Sequence, residues 1–249
     1  MTNPRLKITD LYEEIAFAEL TAWLYKIKQK PSILNKLTKG TQRRINNLIP
    51  EKVHKVITYA IEKMVKGVLF GTKFLTPKPL RENRLELREV KVNEIIKIYR
   101  NSASAEGAIT GAGGILMGFV DFPAFLTIKM KMLFEISAAY GFDVKKLDER
   151  LFLLHIFKLT FSSQETRKKT VDIIENWNDY VQTIPKDAEQ FDWREFQLEY
   201  RDYMDLAKLA QLIPIIGSGV GAVANYSLAN KLGKTAMQCF RLRHFKQDH

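Results

Sequence analysis

Apolar residues recur at intervals of three and four along most of this chain, the spacing that gathers them on one face of a helix. From Thr9, the run TDLYEEIAFAELTAWLYKIKQK reads as a helix started by a capping box, with Asp10 as cap and Glu13 three residues on. Pro50 is placed to open the next long helix in its first turn, where its missing N–H leaves nothing unmade. Val53, Ile57, Ile61, Val65 and Val68 share one face of that helix. Residues Thr72 to Glu86, with Pro77 and Pro79, read as an exposed loop. Asp143 to Phe161 predicts a further amphipathic helix. Ser163 with Glu165 and Thr166 starts a charged one that ends near Pro185, and Asp187 opens a long helix through FDWREFQLEYRDYMDLAKLA. No run alternates with period two, and no Asn-Gly or Asp-Gly turn occurs. The expected fold is all-α, a multi-helix bundle.

Two segments break the amphipathic pattern. AEGAITGAGGILMGFVDFPAFLTI spans Ala105 to Ile128, and LAQLIPIIGSGVGAVANYSLAN spans Leu209 to Asn230 without a single charge. Each is followed by a basic helix, as in a loose internal duplication. A glycine inside a helix costs about 1 kcal/mol relative to alanine, so such clusters need a compensating gain. Gly107, Gly111, the pair Gly114 and Gly118, and the pair Gly217 and Gly221 stand four apart, which flattens a helix side and lets a second backbone come close. A buried hairpin at the centre of the bundle is the preferred setting, with dipping into or spanning a bilayer as the alternatives. Asp121 argues against spanning, because an aspartate at mid-bilayer costs about 3 kcal/mol. A phosphate loop is excluded: Gly233-Lys234-Thr235 supplies the ending, but the position that needs the first glycine is Leu228.

Charge and cysteine usage narrow the setting. The 249 residues carry 39 Lys and Arg against 28 Asp and Glu, a net +11, which favours an anionic partner. Cys239 stands alone, so neither a disulfide nor a cysteine metal site is expected, and the N-terminus has no apolar secretory stretch. The expected location is the cytoplasm, peripheral on the inner face of the cell membrane. Residues 1–71 read as basic amphipathic helices, 72–86 as the loop and 87–249 as the helical core, one domain overall.

Between Glu19 and Glu51 there is no acid, whereas Lys26, Lys28, Lys30, Lys36, Lys39, Arg43 and Arg44 are interleaved with Trp23, Tyr25, Ile33, Leu34 and Leu37. Cationic, aromatic-bearing helices suit an anionic membrane surface. Arg241 and Arg243, beside His244, Phe245 and Lys246, repeat the theme. Nucleic acid is the weaker candidate, for want of a helix-turn-helix or RNP signature.

Catalytic signals are sparse. Glu106 and Asp121 are the candidate carboxylates for acid–base work in a glycine-lined pocket, although Asp121 followed by Pro123 reads better as a helix N-cap. His54, His155, His244 and His249 lack ligand spacing, and His155, in LFLLHIFKL, reads as a core histidine. Cys239 reads as a small buried residue, and Ser218 lacks a nucleophile elbow. No metal or cofactor is expected.

The stretch from Ala105-Glu106-Gly107 through Gly111, Gly114, Gly118 and Asp121-Phe122-Pro123 to Ala138-Ala139-Tyr140-Gly141 and Asp143 resembles the EcsC family of bacterial proteins. So does the later block from Ile213 to Gly221, with Asn225-Tyr226 and Phe240-Arg241-Leu242-Arg243. The resemblance covers about Ile49 to Phe245. It implies no established activity and no catalytic residue. Because the founding member is encoded beside two components of an ABC transporter, it also implies a membrane-complex partner. The combined expectation is a peripheral membrane-associated accessory or binding protein. The alternative is a hydrolase or lipid-modifying enzyme using Glu106 and Asp121.

Overall fold

The computed structural model describes residues 10–29, 51–70, 77–112, 114–185 and 218–247, with positions 192, 194, 196 and 200. Within these, the side chains of 52–54, 70, 103–121, 124, 125, 165, 218–224 and 247 are outside the description. Among the described residues there are eight helices: α1 (Leu11–Lys28), α2 (Glu51–Phe70), α3 (Leu85–Ala112), α4 (Gly114–Ala139), α5 (Leu147–Phe161), α6 (Gln164–Glu175), α7 (Trp177–Thr183) and α8 (Ser218–Gln247). The all-α expectation holds.

The long C-terminal helix α8 is the axis of the bundle and lies most extensively along α3. Gly233 shows why the two can approach. A Cβ at that position would sit 2.5 Å from Cγ1 of Ile96, a buried, stiff β-branched side chain on α3. Helices α4, α5 and α1 then pack around α8, and α2 closes over α4 and α5. One apolar core includes Ala16 and Leu20 of α1, Ile57, Ile61, Val65 and Val68 of α2, and Leu232 and Phe240 of α8. The face expected on α2 is therefore buried at all four of those positions; the Val53 side chain lies outside the described residues.

Three boundaries differ from the sequence expectation, each for a visible reason. The first is the loop, which ends at Leu85, a buried first residue of α3, and is tied down before that. Leu80 N–H donates to Ala138 O at 2.7 Å, and Arg88 Nε donates to the carbonyl of Glu82. Helix α4 stops where Gly141 turns to φ +91°, with Gly141 N–H on Ala138 O and Phe142 N–H on Ser137 O. That is a Schellman closure, and it presents the helix end that receives the loop.

The second is α5, which starts at Leu147 rather than Asp143 and is enclosed rather than amphipathic. Every residue from Leu151 to Phe161 is buried, because the helix has neighbours on several sides. The third is the charged helix, which breaks at Asn176 into α6 and α7, with the Asn176 Nδ2 donating to Asp172 O. Ser163 caps α6 through the Thr166 N–H, and Asp10 caps α1 through the Glu13 N–H at 2.9 Å. Of the helix expected after Asp187 only scattered positions are described. Phe196 and Tyr200 are buried, and the Tyr200 hydroxyl donates to Leu154 O at 3.1 Å.

Asp121 is not a cap. Helix α4 runs unbroken from Gly114 through Asp121 and Pro123 to Ala139. Thr127 Oγ1 donates back to Pro123 O at 2.9 Å, in register with a continuing helix.

His155 is a core histidine. Its Nδ1 bonds Leu151 O at 2.9 Å, and the ring packs among Trp177, Tyr180 and Phe196. Burial lowers its pKa from 6.5 to about 4. Above pH 6.5 both folded and unfolded chains hold it neutral. Below that, the unfolded chain takes up a proton that the folded protein refuses, so stability falls as the pH drops toward 4 and this contribution levels off beneath it. The loss amounts to about 3 kcal/mol. Urea unfolding at pH 7, 5.5 and 4.5 is expected to show a shallower decline for His155→Leu than for the wild type. Equal slopes would contradict this assignment.

Gly233→Ala is expected to destabilise by about 1–3 kcal/mol despite alanine's better helix propensity. Ile96→Ala should relieve the added methyl, so denaturation of the two single variants and the double variant should be strongly non-additive. Additive effects would mean that the α3–α8 approach is looser than described.

Candidate membrane-facing helix and basic cleft

The last turns of α8 bring a correction. Arg241 and Arg243, expected on an anion-facing surface, point into the protein. Arg241 donates from Nε and NH2 to both oxygens of Glu89 at 2.7 Å, and from NH1 to Glu19 at 2.6 Å. Glu89, fully buried on α3, also accepts from the hydroxyls of Tyr12 at 2.7 Å and Tyr140 at 2.9 Å. Burial, reinforced by the Glu89 charge, pushes the Tyr140 hydroxyl pKa well up. Arg243 is bidentate to Glu149 at 2.6 and 2.8 Å and lies over the rings of Phe142 and Phe152. His244 contacts Glu13 at 3.0 Å. Lipid contact through either arginine would leave a buried carboxylate without its cation.

Sequence reasoning missed Glu89 and Glu149. A signal for Glu89 was present: Leu85, Val92, Ile96 and Tyr99 are buried along α3 at helical intervals, and Glu89 interrupts that stripe.

Helix α1 is apolar on two sides. Ala16 and Leu20 face the core, and Phe17 meets Phe245 edge-on at 5.3 Å. On the outer side Leu11 (71% exposed), Ile15 (52%) and Tyr25 (70%) stand in solvent, with exposed Ala18 and Ala22 between them. At 3.6 residues per turn these five positions fall within an arc of roughly 80°. Lys26 and Lys28 at the same end are exposed, and Lys28 pairs with Glu175 at 2.6 Å. Lys30, Lys36, Lys39, Arg43 and Arg44 lie outside the described residues.

Beside this stripe is an open cleft of about 570 Å³. Trp23, Lys26 and Ile27 line it from α1, with Leu159 and Thr160 from the end of α5. Gln164 and Arg167 come from the start of α6, and α8 adds Lys231, Lys234, Thr235 and Gln238, a single face at intervals of three and four. Four of its described lining residues are cations and none is an acid. Lys234 Nζ is held by Asn93 Oδ1 at 3.1 Å.

The other candidates are placed less fully. Glu106, Gly107 and Gly111 lie in the last turns of α3, Gly114, Gly118 and Asp121 in the first turns of α4, and Gly221 in α8; Gly217 is outside the described residues. The Glu106 and Asp121 side chains are not among those described, so the pair carries no geometry. Cys239 is buried, and burial raises its thiol pKa. Among the described residues no group of His, Cys, Asp and Glu is disposed to hold a metal, and no helix is long and apolar enough to cross a membrane.

The sequence matches the EcsC protein family over residues 14–245. The chain belongs to the EcsC family. The match begins in α1, well before the Ile49 at which the visible resemblance starts. Protein EcsC of Bacillus subtilis (strain 168) is 43% identical over 238 residues, covering 94% of this chain and 97% of that protein. The uncharacterized protein YdbA of the same organism is 28% identical over 261 residues, covering 96% and 94%. No solved structure matches the chain.

Because the carboxylates around Arg241 and Arg243 are buried, Glu89→Gln and Arg243→Ala are each expected to destabilise by about 3–5 kcal/mol. Thermal unfolding checks this. A change of under 1 kcal/mol in both would return the two arginines to the list of surface cations.

Proposed function

We propose that this EcsC-family protein is a peripheral membrane-binding accessory protein that docks on anionic lipid through the outer face of α1. The observation that carries the reading is the unpartnered stripe of Leu11, Ile15 and Tyr25 on a helix whose inner face is already committed to the core. An interfacial helix buries such a stripe at the headgroup boundary while adjacent lysines meet the phosphates. Charge argues for a lipid surface over a second copy of the chain: the net charge is +11, and no acid occurs between Glu19 and Glu51. Two such surfaces repel each other and both attract anionic lipid, which is concentrated in the cytoplasmic leaflet. The same position would set the protein beside a membrane-embedded partner complex.

Co-sedimentation with anionic and neutral vesicles, at low and high salt, tests this. Wild-type protein is expected to pellet with anionic vesicles and to be partly released by salt, since each basic residue near the surface contributes about 1 kcal/mol. Leu11→Ser/Ile15→Ser/Tyr25→Ser removes about 3 kcal/mol of apolar burial, so vesicle affinity should fall roughly a hundredfold with the melting temperature kept. Protein that stays in the supernatant in every condition, or that dimerises through the stripe instead, would sink the reading.

A further inference from the structure

Helix α3 is apolar on two sides, and the bundle covers only one of them. Leu85, Val92, Ile96 and Tyr99 turn into the core with Glu89. On the opposite side Leu87, Val90 and Ile98 are exposed, Ile98 to 60%. At roughly 100° per residue, Leu87, Glu94 and Ile98 fall within an arc of about 40° facing away from the buried residues, with Val90 on one flank and Lys91 on the other. Single apolar residues are ordinary on a surface, but these follow one line for about 16 Å and make a ridge.

Charge separates this ridge from the stripe on α1. Exposed Lys26 and Lys28 accompany the α1 stripe, and the whole chain is +11. The α3 ridge holds one lysine and one glutamate, Lys91 and Glu94, joined at 3.1 Å within the helix and each more than half exposed. At the rim beyond Val90, Glu86 and Lys97 are again of opposite sign. A ridge without net charge is not drawn to anionic lipid, nor does it repel its own copy. The exposed Lys91–Glu94 pair adds little to stability, so both side chains can exchange partners.

The order of residues along the helix decides which partner fits. The midpoint between Leu87 and Ile98 is also the midpoint between Lys91 and Glu94. A twofold axis at that point lays Leu87 on Ile98 of the second copy and Lys91 on Glu94 of the second copy, and the reverse. This reciprocity is what a twofold interface demands of a surface. A parallel pairing would set lysine beside lysine and glutamate beside glutamate.

We propose that the outer face of α3 is a homodimer interface, with the two α3 helices packed antiparallel about a twofold axis level with Val92 and Asn93. Leu87, Val90 and Ile98 supply the apolar contact. Two reciprocal Lys91–Glu94 pairs set register and direction, as flanking charges do in paired helices. One helix face on another makes a small interface, about 1,200 Å² in total or less, so self-association is weak, with a Kd of about 10–100 μM. The interface stands independently of membrane docking through α1.

Sedimentation velocity of the full chain from about 1 to 500 μM reads the association, in about 0.15 M salt so that repulsion between two +11 copies is screened beyond about 8 Å. Wild-type protein is expected to pass from monomer to dimer across that range. Val90→Ser/Ile98→Ser should weaken the dimer at least tenfold and keep the melting curve, because both positions are exposed. Lys91→Glu and Glu94→Lys each bring like charges together across the axis and should also weaken it at least tenfold, whereas the exchange Lys91→Glu/Glu94→Lys should restore it. Cys239 is buried and is the one cysteine of the chain, so an introduced cysteine reports alone. Glu94→Cys, next to the axis, is expected to cross-link on mild oxidation, and Ile98→Cys, about 16 Å along the helix from its counterpart, is not. The α1 stripe variant should still dimerise, and Val90→Ser/Ile98→Ser should still pellet with anionic vesicles, which separates failure of this interface from failure of membrane docking. A chain that stays monomeric at 500 μM, a dimer indifferent to Val90→Ser/Ile98→Ser, a charge exchange that restores nothing, or ready cross-linking of Ile98→Cys would each overturn the proposal. So would loss of vesicle binding in Val90→Ser/Ile98→Ser, which would give the ridge to lipid.

Discussion

The bundle is organised around a buried carboxylate, that of Glu89, and the donors that three other elements bring to it. Two bonds from Arg241 and one each from Tyr12 and Tyr140 satisfy it. Those donors come from α8, α1 and the C-terminal end of α4, so the ion sits where four helices meet. A charge taken out of water is repaid only when every partner is in place, which makes the site a test of correct packing as well as a contact. Arg241 extends the network to Glu19 on α1, and the stacking of Tyr140 on Phe240, with ring centroids 4.9 Å apart, fixes α8 against the end of α4.

That constraint shapes the candidate surface. Because Arg241 and Arg243 are spent on Glu89 and Glu149, the C-terminal end of α8 contributes little free positive charge. The described cations that face a concave surface are instead about two to three turns earlier on α8 and across from it on α1 and α6. The polar contacts also hold α1 in a single orientation. Tyr12, Glu13 and Glu19 reach inward to Glu89, His244 and Arg241, which turns Leu11, Ile15 and Tyr25 out. Helix α1 is thus docked by its polar residues as much as by its apolar ones, and its exposed stripe is a consequence of that docking.

Some of this was legible in the residues. The cap at Asp10, the buried face of α2, the cap at Ser163 and the core place of His155 all follow from local chemistry, where spacing and side-chain type suffice. Gly233 was visible as a glycine without a phosphate loop to serve; its use, close passage of Ile96, needed the neighbouring helix. The basic cleft was half visible. Lys26 and Trp23 stood out on α1, whereas Lys231, Lys234 and Gln238 had no reason to be grouped with them until α8 lay alongside.

By itself the sequence determined the all-α class, the capped starts of α1 and α6 and the family, because periodicity, capping and local motifs are encoded within a few turns of chain. Tertiary structure decided which charges face water. Near-identical basic residues, Arg241 on one hand and Lys234 on the other, differ in role only because a buried glutamate lies opposite the first and an open cleft beside the second. The pairing of residues 152 positions apart is a property of the packed bundle. No local pattern around Arg241 carries it, since the energy that turns the side chain inward belongs to the partner.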